Sequence, residues 1–432
     1  MSSPVPLIDW DAVREEATAI LSQYLRINTT NLPGNETEAA KFFQDILARE
    51  GVSGEIITRT AGRGNLIARL PGRGTKLPFM LLSHSDVVPA DPKSWSRAPF
   101  GGEVVNGEIW GRGALDMKNQ GVMHLLTFLL LKRQGVPLER DVLFAVTADE
   151  EMGGYQGARW LCEERWDAVA CEYVLSEGAE GSRGIYTDDG RTVFAVAVQQ
   201  KNTCQLTLVA QGEAGHGSQP HDNNPNDALV AALARVKARV PSQVEIPLVA
   251  EMRRCLGGLR RGRVTDPLLR NTVALTTLKA GVGDWNALKV NVIPSRAEAT
   301  LDCRLLPGQD PHQFVEEIRK AVDDPRVTVT PRAIPVDGPE SPYAGDPFFR
   351  LLDEVLIEAV PGAVVTPAIM TGGSDTKFFR QRGAKAYGIC PILLTEADIR
   401  LFHNDDERIR IEELARGTRL TYEIVTRFVK AG

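Results

Sequence analysis

The acidic pair Glu150 and Glu151 stands in the stretch ADEE that ends the apolar run VLFAVT. Two carboxylates held together at the buried end of a strand repel one another strongly unless a cation lies between them. A bound metal resolves the conflict: one glutamate ligates while the other stays off the metal and takes a proton from bound water. The pair alone leaves open which does which. A second apolar run, LPFMLL, stops at SHSD, where His84 and Asp86 are two residues apart and point the same way along an extended backbone. Asp86 is therefore placed to orient the His84 ring and leave one ring nitrogen free for metal. Asp116, in WGRGALDMK, follows a loop rich in glycine, and its two carboxylate oxygens can each take one cation at about 2.0–2.2 Å. Glu177 follows the run YVLS, and His403 stands in the acidic stretch FHNDDERI of a chain with only six histidines.

Together these residues supply two imidazoles and several carboxylates, with Asp116 shared, a donor set that suits zinc by default and cobalt or manganese as alternatives. Two such ions about 3.5–4 Å apart polarise a carbonyl and acidify a bridging water. Each signal taken singly is weak, since HxD at a strand end is commonly a polar turn and doubled glutamates commonly lie on the surface. Their order at the ends of successive strands is what makes them specific.

The elements that must position them read as alternating strands and helices. LPFMLL and VLFAVT are buried strands, residues 118–134 form a long apolar helix closed by Gly135, and a helix over 157–165 precedes a strand over 173–176. His124, inside the long helix, reads as packed core and not as a ligand. This order predicts an α/β fold with a mostly parallel sheet and ligand sites beyond the carboxyl ends of its strands. From about residue 191 the pattern changes to two-residue alternation in VFAVAVQQ, CQLTLVAQ, NTVALTTL and RAEATLDCRL, with helices over 226–240 and 311–322 and a last strand over 327–333. The expected division is a catalytic domain in two segments, 1–190 and 334–432, interrupted by an α+β domain over 191–333. The arginine-rich MRRCLGGLRRGR reads as a solvated loop.

At 432 residues, with 43% hydrophobic and 25% charged residues, the chain is long enough for two cores. A formal net charge of −6 argues against nucleic acid or an anionic membrane as partner and toward small molecules. The start MSSPVPLIDW lacks a basic-then-apolar leader and no long apolar run follows, which points to the cytoplasm. Six cysteines without CxxC spacing suggest neither a thiolate metal site nor a disulfide framework.

SHSDVVP, WGRGALDMK, TADEEMGG, GHGSQP, NVIPSRAEATLDCR, TGGSD and HNDDERI, in this order, resemble the aminoacylase, carboxypeptidase and succinyl-diaminopimelate desuccinylase family of co-catalytic metallopeptidases, nearest its carboxypeptidase S and N-acyl-amino-acid hydrolase branch. The resemblance implies His84, Asp116 and Glu177 on one ion and Asp116, Glu151 and His403 on the other, with Glu150 as general base and Asp86 behind His84. It further implies that the inserted domain acts as a lid and dimerisation module. His216 then reaches across a homodimer interface to the oxyanion, while Asn291, Arg304, Gly372, Gly373 and Ser374 bind substrate. The activity implied is amide hydrolysis of an N-acyl amino acid or a short peptide with a free carboxylate. Dipeptidase, carboxypeptidase or desuccinylase activity is the neighbouring alternative. Asn404 after His403, where many relatives have glycine, bears on substrate preference. A dinuclear phosphoesterase would need more histidines and a Gly-Asn-His-Glu cluster, which the chain lacks; an inactive metal-binding scaffold sits poorly with an intact Glu150.

Overall fold

The computed structural model describes residues 7–239, 243–334, 336 and 338–431. The first six residues of the stretch read for a leader, and Val240 at the end of the helix expected over 226–240, lie outside them.

Residues with apolar runs on both faces build a large, mostly parallel central sheet of eight strands. Its order is Gly54–Thr58, Gly64–Leu70, Arg140–Thr147, Lys76–His84, Tyr173–Arg183, Lys385–Leu394, Thr192–Gln200 and Val364–Met370. The central strands Arg140–Thr147, Lys76–His84, Tyr173–Arg183 and Lys385–Leu394 run parallel. Alternation along Lys76–His84 sends Phe79 and Leu81 into one core and Met80 and Leu82 into another on the opposite face, so helices cover both sides. Lys118–Arg133 is buried around nearly its whole circumference, wedged between the sheet and the helices Trp10–Leu25 and Ile411–Val429. It ends as the sequence predicts, with Gly135 at φ +58°.

The second sheet has four antiparallel strands, Thr272–Lys279, Arg296–Leu305, Asn202–Gln211 and Val327–Pro331. Buried and half-buried residues alternate along Asn202–Gln211, and Cys204, Leu206 and Leu208 join Leu229, Leu233, Phe314 and Ile318 in a core separate from that of the large sheet. Its two helices, Pro225–Ala238 and Pro311–Val322, each begin with proline in the first turn after a capping Asn224 or Asp310.

Two expectations shift. The strand Thr192–Gln200, assigned by its apparent alternation to the inserted segment that starts at 191, lies in the large sheet. Every one of its residues is buried, because a strand covered on both faces needs no polar side. The arginine-rich stretch is not all loop: Pro247–Leu256 is a helix whose Leu248, Val249, Met252 and Leu256 join the large core, leaving Arg253 and Arg254 to pair with Glu245 and Glu251. Among the described residues no helix is long and apolar enough to cross a membrane.

Candidate metal centre

His84 ends its strand opposite Thr147, which puts the two central strand ends, and the chain that leaves them, side by side. Nδ1 of His84 lies 3.0 Å from the main-chain carbonyl of Asp86, and Nε2 lies 3.1 Å from Oδ1 of Asp116. The orienting partner is thus the Asp86 backbone, with the carboxylate at 3.6 Å as a second contact. That carboxylate is mainly engaged elsewhere. Its oxygens accept from the amides of Glu150 and Glu151 and from the side chain of Asn31, at 2.9–3.2 Å. Asp86 therefore fixes the histidine and the glutamate pair with one residue.

The other oxygen of Asp116, Oδ2, lies 3.0 Å from Nε2 of His403, which stands 3.3 Å from Oε1 of Glu151. Glu177 approaches His84 Nε2 at 3.8 Å. Where the sequence pattern ends the strand at 176, the structure continues it, and Glu177 lies inside Tyr173–Arg183 at a register break. There the backbones of Gly178 and Gly388 meet so closely that a Cβ on Gly178 would fall 2.1 Å from the Gly388 oxygen. Such a bulge re-aims a side chain that regular pleating would send elsewhere. The result is two groups of ligand atoms, His84–Asp116–Glu177 and Asp116–Glu151–His403, each gathered within 4.8 Å and sharing Asp116.

The charges suit a site built for cations. Burial pulls the His84 pKa down, but Asp116, Asp86 and Glu177 outweigh it and hold it well above the ordinary histidine value. Contacts with Asp116 and Glu151 raise His403 to about 10. Burial opposes ionisation of Asp116, yet its two histidines hold its carboxyl below the usual range. Burial together with neighbouring carboxylates pushes Glu150 and Glu177 well up. Glu151 Oε1 is buried and makes no properly directed hydrogen bond. The Glu150 carboxyl has no hydrogen-bond or ion-pair partner among the described residues. Two imidazole nitrogens aimed at the one Asp116 carboxylate, with the buried Glu151 oxygen 3.3 Å from His403, fit a pair of divalent cations.

Residues that sequence reasoning passes over hold this cluster in place. Glu407 is fully buried and accepts from Arg112 at 2.7 Å and from the amides of Gly113, Leu115 and Asp116 at 2.6–3.1 Å. It binds the loop of the shared aspartate to the segment that carries His403, and the antiparallel strands Glu103–Val105, Glu108–Trp110 and Arg408–Arg410 reinforce the junction. Asp149, in a left-handed conformation at φ +69°, accepts from Arg63 and Asn31, and Arg63 also grips the buried Glu36 through two nitrogens. Asp375, next to Ser374, accepts from Thr147 at 2.8 Å, and burial raises its carboxyl to about 7. The signals for these residues are modest: Glu407 and Arg112 sit within the quoted motifs, whereas NTTNLPGN around Asn31 reads as an ordinary turn.

The candidate substrate residues divide between the cluster and the smaller sheet with its loops. His216 is exposed, its Nδ1 bound by Ser218, and the pairing of His216 with Val292 and of the Gly217 amide with the Asn291 carbonyl brings His216 and Asn291 together. Arg304 is held by Asp302 and Thr203 on the four-stranded sheet. Gly372 lines a cavity beside Asp116 and Glu177, Gly373 lies near Gln200, and the Ser374 hydroxyl is buried against Thr376. The hydrogen bonds of His216 and Arg304 stay within the smaller sheet and its loops and do not reach the ligand cluster. His124 is fully buried, as a core residue should be, and burial takes its pKa down to about 3. Lys118 is scaffold, its ammonium donating to the carbonyls of Tyr24 and Ile27.

A parallel sheet whose strand ends gather two ligand sets around one carboxylate, with a free glutamate beside them, defines a metal-dependent hydrolase. Residues 80–427 match the model of "Peptidase family M20/M25/M40", and the chain belongs to that family. It is 29% identical over 414 residues, 90% of this chain and 79% of the relative, to the "N-fatty-acyl-amino acid synthase/hydrolase PM20D1" of Xenopus tropicalis. It is 26% identical over 429 residues, 96% and 95% of the two chains, to human "Aminoacylase-1". Among solved structures it is similar to "a M20 family metallo-carboxypeptidase Sso-CP2 from Sulfolobus solfataricus", with a TM-score of 0.73 at 20% identity, covering 95% of this chain and 98% of that one.

Proposed function

We propose that the chain hydrolyses the amide of an N-acyl amino acid, or of a short peptide with a free carboxylate, with His84, Asp116 and Glu177 holding one divalent ion and Asp116, Glu151 and His403 a second. The observation that carries this reading is the Asp116 carboxylate, one oxygen toward each histidine, with Glu150 unpartnered beside it. Zinc suits the mixed imidazole and carboxylate donors, with cobalt or manganese next. When bound, the ions polarise the scissile carbonyl and acidify water.

Glu150 takes the proton of the attacking water and returns it to the leaving nitrogen, a role that suits a carboxyl whose pKa is raised by burial and like charge. Arg304 takes the substrate carboxylate through its planar fork, and Asn291 and the 372–374 loop complete the binding surface. His216 stabilises the tetrahedral oxyanion, from a second copy of the chain. A homodimer is supported by the edge strand Thr272–Lys279, whose last six residues are all exposed, and by the exposure of His216 itself. The inserted domain, read from the strand pairing as 202–333, acts as lid and dimerisation module. Six free cysteines suit a reducing cytoplasm.

The test is a panel of N-acetyl, N-succinyl and long-chain N-acyl amino acids and dipeptides, offered to protein loaded with zinc, cobalt or manganese, alongside metal analysis. Hydrolysis of at least one class by protein holding two ions per chain is expected. Protein that takes up the ions and cleaves none of these overturns the reading, and a monomer in sedimentation overturns the dimer.

A further inference from the structure

Beside the ligand cluster lies a cavity of about 210 Å³ whose lining includes Leu115, Met370, Cys390, Ile399 and Phe402 together with Asp116 and Glu177 of the ligand sets. On this mostly apolar wall stands one carboxyl with no evident duty, that of Glu180. No side chain among the described residues pairs with it; it meets only its own backbone amide. Residues three apart on a regular strand face opposite sides. The register break between Ser176 and Ala179 cancels that rule and brings Glu177 and Glu180 to the lining of the same cavity.

A polar group in an apolar pocket costs stability unless something pairs with it, and ligand pockets commonly use such isolated groups to fix what they bind. The cavity wall is drawn wholly from segments of the large-sheet body, and nothing on it comes from the four-stranded sheet that carries Arg304. If the amino-acid half of the substrate is anchored at Arg304, the acyl half is the one that faces this cavity. Its volume of about 210 Å³ gives room for a short arm.

We propose that this cavity receives the acyl group and that Glu180 selects a short acyl arm ending in an amine, which it meets as a charge-assisted hydrogen bond. The proposal rests on the amide-hydrolase reading for which half of the substrate lies where. It distinguishes an aminoacyl or amino-alkanoyl substrate from a purely aliphatic one of the same length.

Binding can be read without turnover. Calorimetry on the zinc-loaded protein would compare ω-amino acids of three to six carbons, which mimic the released acyl half, with the alkanoic acids of the same heavy-atom count. At least one ω-amino acid is expected to bind about tenfold or more tightly than its isostere, the yield of one charge-assisted bond. Glu180→Gln should bring the pair within about threefold, and Glu180→Leu should reverse the preference, with metal content measured for each. Equal binding of every pair by the unmutated protein overturns the proposal, as does a preference that survives in either metal-loaded variant. Hydrolysis of the full panel of N-acyl amino acids and dipeptides by the same preparation tests the functional reading separately: failure on every class would overturn that reading and leave the binding ratios to score the cavity.

Discussion

The metal-ligand cluster and the four-stranded sheet treat their polar groups in opposite ways. At the cluster nearly every group is held from behind. Asp86 accepts three hydrogen bonds, Glu407 four, and Arg63 serves two carboxylates at once. In the two-stranded ribbon near the smaller sheet His216 and the adjoining Asn291 are exposed, and on the sheet itself Arg304 is engaged by its own neighbours. The chemical half is preassembled, because like charges tolerate each other there only if the backbone fixes their spacing before the cations arrive. On the proposed reading the exposed His216 and Asn291 are left to meet the substrate.

Four measurements would break or sharpen this contrast. Glu150→Ala should retain metal content near that of the unmutated protein while turnover falls by about 10²–10⁴; normal turnover would remove Glu150 from the mechanism. Glu407→Gln should lose about 3–5 kcal/mol of stability in denaturant unfolding, since it leaves Arg112 buried without its countercharge, and should weaken ion binding. If both stability and ion uptake are unchanged, the cluster is not held by Glu407. Arg304→Ala should leave stability and metal content alone and raise KM for free-acid substrates by about ten- to a hundredfold, with little effect on amidated ones. Equal loss on both classes would remove Arg304 from carboxylate binding.

The smallest effect concerns the metal-free protein. His403 has its folded pKa raised to about 10, so its contribution to stability is complete below the unfolded histidine value and is lost as pH rises through the folded one. The melting temperature of metal-free protein should therefore fall between about pH 6.5 and pH 10, and His403→Ala should flatten that part of the curve. A slope unaltered by the substitution would place the titrating group elsewhere.

What the sequence discloses follows the same contrast. His84, Asp116, Glu150, Glu151 and His403 are legible because they end apolar runs or punctuate glycine-rich and acidic motifs, signals that survive without three-dimensional information. Pro311–Val322 is legible to the residue because proline, a capping aspartate and helical apolar spacing agree. The strand Thr192–Gln200 is not, since burial on both faces erases the pattern that would tell its sheet. Glu407, Asn31 and Glu180 are illegible for a different reason. Their placement depends on partners contributed by distant segments, or, for Glu180, on a break in register that no local pattern announces.

The bond between Asp116 and His403 joins residues 287 positions apart, and the junction of Glu407 with the Arg112 loop closes at the same place. The 385–394 strand that sets the register break at Glu177 and the segment that carries His403 both come from the last fifth of the chain. A protein cut short before residue 385 would keep His84, Asp116 and Glu177 in its sequence but lack the strand against which Glu177 is aimed, the second histidine of Asp116 and the buried carboxylate that accepts from the Asp116 amide.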